Sequence, residues 1–146
     1  MLTLADLGVL RDVAVEDDGR VIVWITPTYS GCPAIGAMRD DLEHRLAKAG
    51  YPEVEVRTVL APAWSSDWIS AEGRRKLAAN GISPPGPAPR PDGPVLVQLT
   101  APPRSVRCPG CGSVSTRELS EFGATACKSL WRCSDCDEPF EHFKEH

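Results

Sequence analysis

The sequence predicts an α/β (α+β) protein in two parts: a small mixed sheet with two helices, then a C-terminal zinc-ribbon β domain. Three observations carry this prediction. "VIVWI" at 21–25 is apolar on both faces, as a central strand covered on each side must be, and it hands over to an amphipathic helix through "TPTYSGCP". The stretch "SPPGPAPRPDGPVLVQLTAPPR", 83–104, holds eight of the fourteen prolines, a composition that disfavours helix and extends as linkers do. Beyond it stand two Cys-x2-Cys pairs. The expected boundaries are therefore 1–82 for the α/β domain, 83–104 for a proline-rich linker and 105–146 for the ribbon.

The elements follow in order. "GVLRDVAV" is a strand that turns at Asp18-Gly19, a hairpin signal, into "VIVWI". From Pro33, Ile35, Met38, Leu42, Leu46 and Ala49 recur at helical spacing, and Gly50 stops the helix. Arg39, Asp40, Glu43 and Lys48 occupy its opposite face. "EVEVRTVL" alternates, as a strand with one wet face does. "ISAEGRRKLAANG" reads as a second helix closed by Gly81. "VLVQL" inside the linker predicts one short edge strand, and "SVSTRELSEFGATACKSLWR" a hairpin.

Cys108-Pro-Gly-Cys111 and Cys133-Ser-Asp-Cys136, separated by twenty-one residues, have zinc-ribbon spacing. A two-residue knuckle brings two thiolates onto one tetrahedral ion, and Gly112 lets the backbone turn closely around the sulfurs. A piece of about forty residues buries too little apolar surface to fold alone, so a metal staple is expected: one structural zinc per chain. Iron in a rubredoxin-like site has the same ligands, and unligated or disulfide-bonded thiols are the plain alternative. Four cysteines leave no open coordination position, which makes the site structural rather than catalytic.

Two thiols remain. Cys32 precedes Pro33, a good first helical residue, so it stands at or near the N-cap, where unpaired N–H groups and the helix dipole favour a thiolate. The alternative is a packed small residue. A catalytic nucleophile needs a base, and the one histidine of this region, His44, is twelve residues on, ~18 Å along a helix axis. A thiol without a base binds a soft metal or an iron–sulfur cluster instead. Clusters take four ligands, so the set is completed by Cys127, by another subunit (a homodimer is one arrangement) or by a client, and such incomplete ligation suits transfer. Cys127 lies six residues before Cys133, ~20 Å away if extended, and is spare to the zinc site; as a plain alternative it is a small buried hydrophobe. Trp64 and Trp68 flank "SSD" at spacing four, as core residues, as a lid over the Cys32 loop, or, if exposed, as a docking surface. His142, between Phe140 and Phe143, reads as packing or surface.

Composition bounds the function. The net charge is -4, with nine cations against twelve anions over 1–82 and seven against eight beyond; neither half carries the basic footprint of a nucleic-acid binder. No apolar run reaches the ~20 residues of a membrane span, and "MLTLADLGVL" lacks the basic start and apolar stretch of a secretory signal. A cytoplasmic protein is expected, in which cysteines serve as metal ligands or reactive thiols. No carboxylate pair, phosphate loop or G-x-S-x-G elbow points to an enzyme.

"DLGVLRDV", "ITPTYSGCPA", "VRTVLAPAWSSDWIS", "EGRRKL", "CPGCGS", "SEFGATACKSLWRC" and "EPFEHFK" together resemble the PaaD family of phenylacetyl-CoA epoxidase (phenylacetate-CoA oxygenase) subunits. The first region also resembles the wider family of iron–sulfur assembly proteins that carry a Gly-Cys-Pro turn. The resemblance implies an iron–sulfur-assembly-like domain over 1–82. It implies a non-catalytic accessory role in phenylacetate degradation, with Cys32 as the functional thiol and Cys127 as a candidate second one. The partners implied are the other subunits of the oxygenase system, its di-iron oxygenase or its iron–sulfur flavin reductase, with a transient cluster as cargo. Members are expected to carry an N-terminal helix and an Asp-Pro-Glu stretch before "DLG", where this chain begins almost at that point, and "FKEH" lacks an extra cysteine found in some of them. Rival readings are a scaffold subunit docking through the ribbon and tryptophans, a zinc-ribbon nucleic-acid binder, and a thiol enzyme.

Overall fold

A computed structural model of the chain describes residues 1–88 and 105–146. Their packing divides into two compact units, Thr3–Ser70 on one side and Ala71–His146 with Met1–Leu2 on the other. The packing boundary thus follows Ser70, whereas the sequence suggests one after residue 82. The expected "VLVQL" strand and most of the proline-rich linker lie outside the described residues.

The first unit holds β1 (Leu10–Val15), β2 (Val21–Ile25), α1 (Ala34–Lys48) and β3 (Val54–Thr58). β1 and β2 pair antiparallel around Gly19, whose φ of +85° meets the hairpin's demand for a left-handed residue. β2 and β3 pair parallel, which requires a crossover, and α1 supplies it. Val9, Val21, Val23, Ile25 and Val56 form the core, and Ile35, Met38, Leu42 and Leu46 of α1 pack against it. Full burial of such side chains contributes about 1.5–3 kcal/mol each. β2 is the central strand of the order β1-β2-β3, and all of its residues but the half-buried Trp24 are buried. α1 stops at Ala49, followed by Gly50 with φ +98°.

The two tryptophans part company. Trp64 is buried and its Nε1 donates to the Leu7 carbonyl at 3.0 Å, so the indole polar edge is satisfied inside the core. Trp68 ends a 3-10 turn, Ser66–Trp68, capped by the Ser65 hydroxyl. It is half-buried, with the Arg11 guanidinium 3.7 Å from its ring centroid, a cation–π contact.

The second unit holds α2 (Ala71–Ala79), β4 (Ile82–Ser83), β5 (Thr116–Ser120), β6 (Lys128–Cys133) and β7 (Pro139–Phe143). Its sheet runs β4-β7-β6-β5, antiparallel except where β4 meets β7. The β5–β6 hairpin is the one expected. β4 and β7 come from outside it, and β4 is what carries α2 into this unit. Along β6, Ser129, Trp131 and Cys133 are buried and alternate with half-buried Lys128, Leu130 and Arg132. Val106, Cys108, Trp131, Cys133 and Phe140 make the core. Among the described residues no helix is long and apolar enough to cross a membrane.

Candidate functional site

The four cysteines of the two knuckles come together. Their sulfurs all lie within 4.8 Å of one another, with Cys108 to Cys136 at 3.7 Å and Cys111 to Cys133 at 3.5 Å. Four thiolates about 2.3 Å from one tetrahedral ion stand about 3.8 Å apart, so the set fits zinc. Each knuckle closes by the same device. The Cys108 N–H donates to the Ser113 carbonyl and the Cys133 N–H to the Glu138 carbonyl, and the residue after each second cysteine is left-handed: Gly112 at φ +77° and Asp137 at φ +64°. The glycine was legible from sequence. Asp137 occupies the equivalent position at the cost that a side chain there carries, and Arg132 holds it, Nη2 to Oδ2 at 2.7 Å.

The thiols answer to their crowding. The Cys136 N–H, then the Asp135 N–H, draw the Cys133 thiol down to about 7 against the effect of burial. The Glu138 N–H pulls Cys136 the same way, but the sulfurs of Cys111, Cys133 and Cys108 outweigh it and push Cys136 up to about 12. Four sulfurs this close cannot all ionise without a cation among them.

Cys32 lies in the turn between β2 and α1. Its N–H donates to the Tyr29 carbonyl and its carbonyl accepts from the Ile35 N–H, both at 3.3 Å. Pro33 is the N-cap rather than the first helical residue, so Cys32 stands one residue before the cap, near it as expected. It is half-buried. Gly31 beside it has φ +88°, and among the described residues nothing but its chain neighbours lies within 4 Å of where its Cβ would be. No acidic side chain occupies the first turn of α1. The root of the turn is anchored by the Thr26 N–H on the Val9 carbonyl, and the Thr26 hydroxyl is buried without a hydrogen-bond partner among the described residues. His44 sits on an exposed part of α1, ten residues into the helix and so about 15 Å along its axis.

Cys127 stands outside the four-sulfur cluster. It is half-buried, its Sγ 3.1 Å from the Thr125 hydroxyl, and its carbonyl accepts from the Lys144 N–H. Cys32 belongs to the first unit and Cys127 to the second. One pair escaped sequence reasoning. His142 is indeed packed, at 3% exposure, but its Nε2 lies 3.3 Å from Glu145 Oε1. The i, i+3 spacing of "HFKE" was the available signal.

Comparison with known proteins agrees with this arrangement. Residues 2–61 match the family model for iron–sulfur cluster assembly proteins, and residues 92–144 the PaaD zinc beta ribbon domain. The D component of the "Putative 1,2-phenylacetyl-CoA epoxidase" of Escherichia coli (strain K12) is 43% identical over 99% of this chain and 82% of its own length. The "Fe-S protein maturation auxiliary factor SufT" of Staphylococcus aureus (strain USA300) is 33% identical over 56% of this chain and 91% of its own. A crystal structure of a domain of unknown function, DUF59, from Bacillus anthracis overlays 51% of this chain and 72% of its own at 28% identity, with a TM-score of 0.48. With an assembly-type domain, a four-cysteine ribbon and a match that spans nearly the whole chain, this protein belongs to the PaaD family of phenylacetyl-CoA epoxidase subunits.

Proposed function

We propose that this chain is a non-catalytic, cytoplasmic accessory subunit of the phenylacetyl-CoA epoxidase system that assists insertion of iron or an iron–sulfur cluster into a client subunit, the di-iron oxygenase or the iron–sulfur flavin reductase. The observation that carries the reading is Cys32: a half-buried thiol in an open turn at the start of α1, beside a glycine with free space around it, with the one histidine of its unit far along the helix. With His44 about 15 Å along the helix axis, the sulfur lacks a histidine base within its unit among the described residues, and as a soft donor it suits iron or a cluster. One thiol holds a cluster only when other ligands join it. Cys127, a second copy of the chain or the client can supply them, and a cargo so held is free to move on. The family model for iron–sulfur cluster assembly proteins matches residues 2–61, the part of the chain that holds Cys32. Zinc in the ribbon then has a purely structural part.

The test replaces Cys32 by serine in cells that make the whole epoxidase system. Iron and acid-labile sulfide in the purified oxygenase and reductase should fall severalfold, while the variant keeps its fold and zinc. Loading equal to the parent would end the proposal. A scaffold reading draws on a different observation, the exposure of Val114, Leu119 and Phe122 in the ribbon unit. It expects stable co-purification with the complex and indifference to Cys32.

A further inference from the structure

Away from the four cysteines, one buried pair of side chains has an unmet requirement. Nδ1 of His142 lies 3.2 Å from the Ser83 carbonyl oxygen. A carbonyl only accepts, so Nδ1 carries the proton and Nε2 is the nitrogen left over. Nε2 is sealed from water with no hydrogen-bond partner among the described residues. At 3.3 Å from it, at ion-pair distance, stands Glu145 Oε1. Glu145 Oε1 accepts the Gly86 N–H at 3.0 Å, and a carboxylate has lone pairs to spare for a further partner. A bare Nε2 lone pair and a carboxylate oxygen this close repel one another unless a proton or a metal cation lies between them.

We propose that His142 Nε2 and the Glu145 carboxylate form a second, labile site for a divalent first-row transition-metal ion. Imidazole and carboxylate are donors that iron, cobalt, manganese and zinc all accept. Ligand atoms at ~2.0–2.2 Å from one such ion stand about 3.0–3.5 Å apart, and the observed 3.3 Å lies in that range. Both residues line a cavity of ≈ 500 Å³, with Ser83, Gly86, Arg107 and Pro109 among its walls, which leaves room for the waters that complete the coordination shell. The Glu145 side chain is 24% exposed, so it can swing aside to admit the ion. The nearby cations are engaged elsewhere, Arg107 with the Gly112 carbonyl and Lys144 over the Phe122 ring at 4.3 Å. Two protein ligands make a weak site, one that takes up an ion and releases it.

The experiment titrates full-length, zinc-loaded protein with Co²⁺. One further equivalent per chain should bind, with the visible bands of nitrogen and oxygen ligation and no thiolate-to-cobalt charge transfer. Glu145→Gln, which preserves shape, and His142→Gln should each weaken that binding at least tenfold while zinc stays at one per chain; if His142→Gln fails to fold, Glu145→Gln decides. Absence of a second equivalent would mean that the pair is a plain imidazolium–carboxylate contact, and the proposal would be wrong. Binding that survives the substitutions, or a charge-transfer band placing cobalt on the cysteines, overturns it equally. This site does not rest on the maturation reading: its readout is stoichiometric binding to the isolated protein, and its failure leaves the Cys32 loading assay unaffected.

Discussion

At the scale of single residues, backbone demands explain the placement of several side chains that pattern alone leaves bare. Gly8 has φ +64°, and a Cβ there would stand 2.6 Å from Trp68 Cβ and 2.7 Å from its carbonyl oxygen. The "DLG" and "WSSDW" segments approach so closely that only hydrogen fits between them. Gly8→Ala combines a strained φ with a clash against backbone, and should destabilise the first unit by about 2–4 kcal/mol; thermal unfolding followed by tryptophan fluorescence measures it, and an unchanged midpoint would refute the close approach. Glu145 makes a second residue-level prediction. Its folded value, about 2, lies below the ordinary carboxylate value, so its stabilising contribution is present above about pH 4.5 and is lost as pH falls from there toward 2. Denaturation midpoints of the parent and Glu145→Gln should therefore differ at pH 6, draw together below pH 4.5 and converge near pH 2. Protonation of the cysteine ligands in acid affects both proteins alike, so the difference between them reports Glu145. A gap as wide near pH 2 as at pH 6 would contradict the assignment.

At the scale of elements, the strongest local patterns became the elements they predicted. β2 lies between two strands, with Val21, Val23 and Ile25 in the core that α1 packs against. α1 runs where Ile35, Met38, Leu42 and Leu46 recur, since that spacing puts all four over one sheet face. The elements that were missed share a cause. β4 has two residues, too few for any periodicity, and it is a strand only because β7 pairs with it. β7, "PFEHF", begins with proline at a strand's first position and carries His142 among its buried residues, a composition in which burial comes from the neighbours Trp131 and Ser83 rather than from the residue type. Trp68 illustrates the limit from the other side. A spacing of four put both indoles on one helical face, but the segment makes a single 3-10 turn, so Trp64 enters the core while Trp68 meets Arg11.

At the scale of the whole molecule, the two units are held by different forces. The first has a conventional apolar core in Val9, Val21, Val23, Ile25 and Val56. The second counts two zinc-type ligands, Cys108 and Cys133, among the five residues of its core cluster, so its packing and its metal are one system. Removal of the metal leaves those sulfurs repelling one another inside the core, where a structural zinc contributes on the order of 10 kcal/mol to small domains. A strong chelator under reducing conditions should abolish amide-exchange protection in β5, β6 and β7 and leave that of β2 and β3 in place. Protection of β6 that survives verified zinc loss would show that apolar packing suffices without the metal.

Chemistry that sits within a few neighbouring residues was readable before any fold was known: the two knuckles, the Gly-Cys-Pro turn ahead of α1, the hairpin at Gly19 and the central strand. Each is a local device, in which spacing along the chain sets spacing in space. Pairings between distant segments were not readable, because nothing in either partner announces the other. Tertiary structure alone assigned β4 to the ribbon's sheet and α2 to its unit, set Trp68 against the bare face of Gly8, and brought the Ser83 carbonyl to His142 so that its second ring nitrogen was left facing Glu145. Long-range contacts are chosen by the packing of whole faces, and a chain read one window at a time does not contain them.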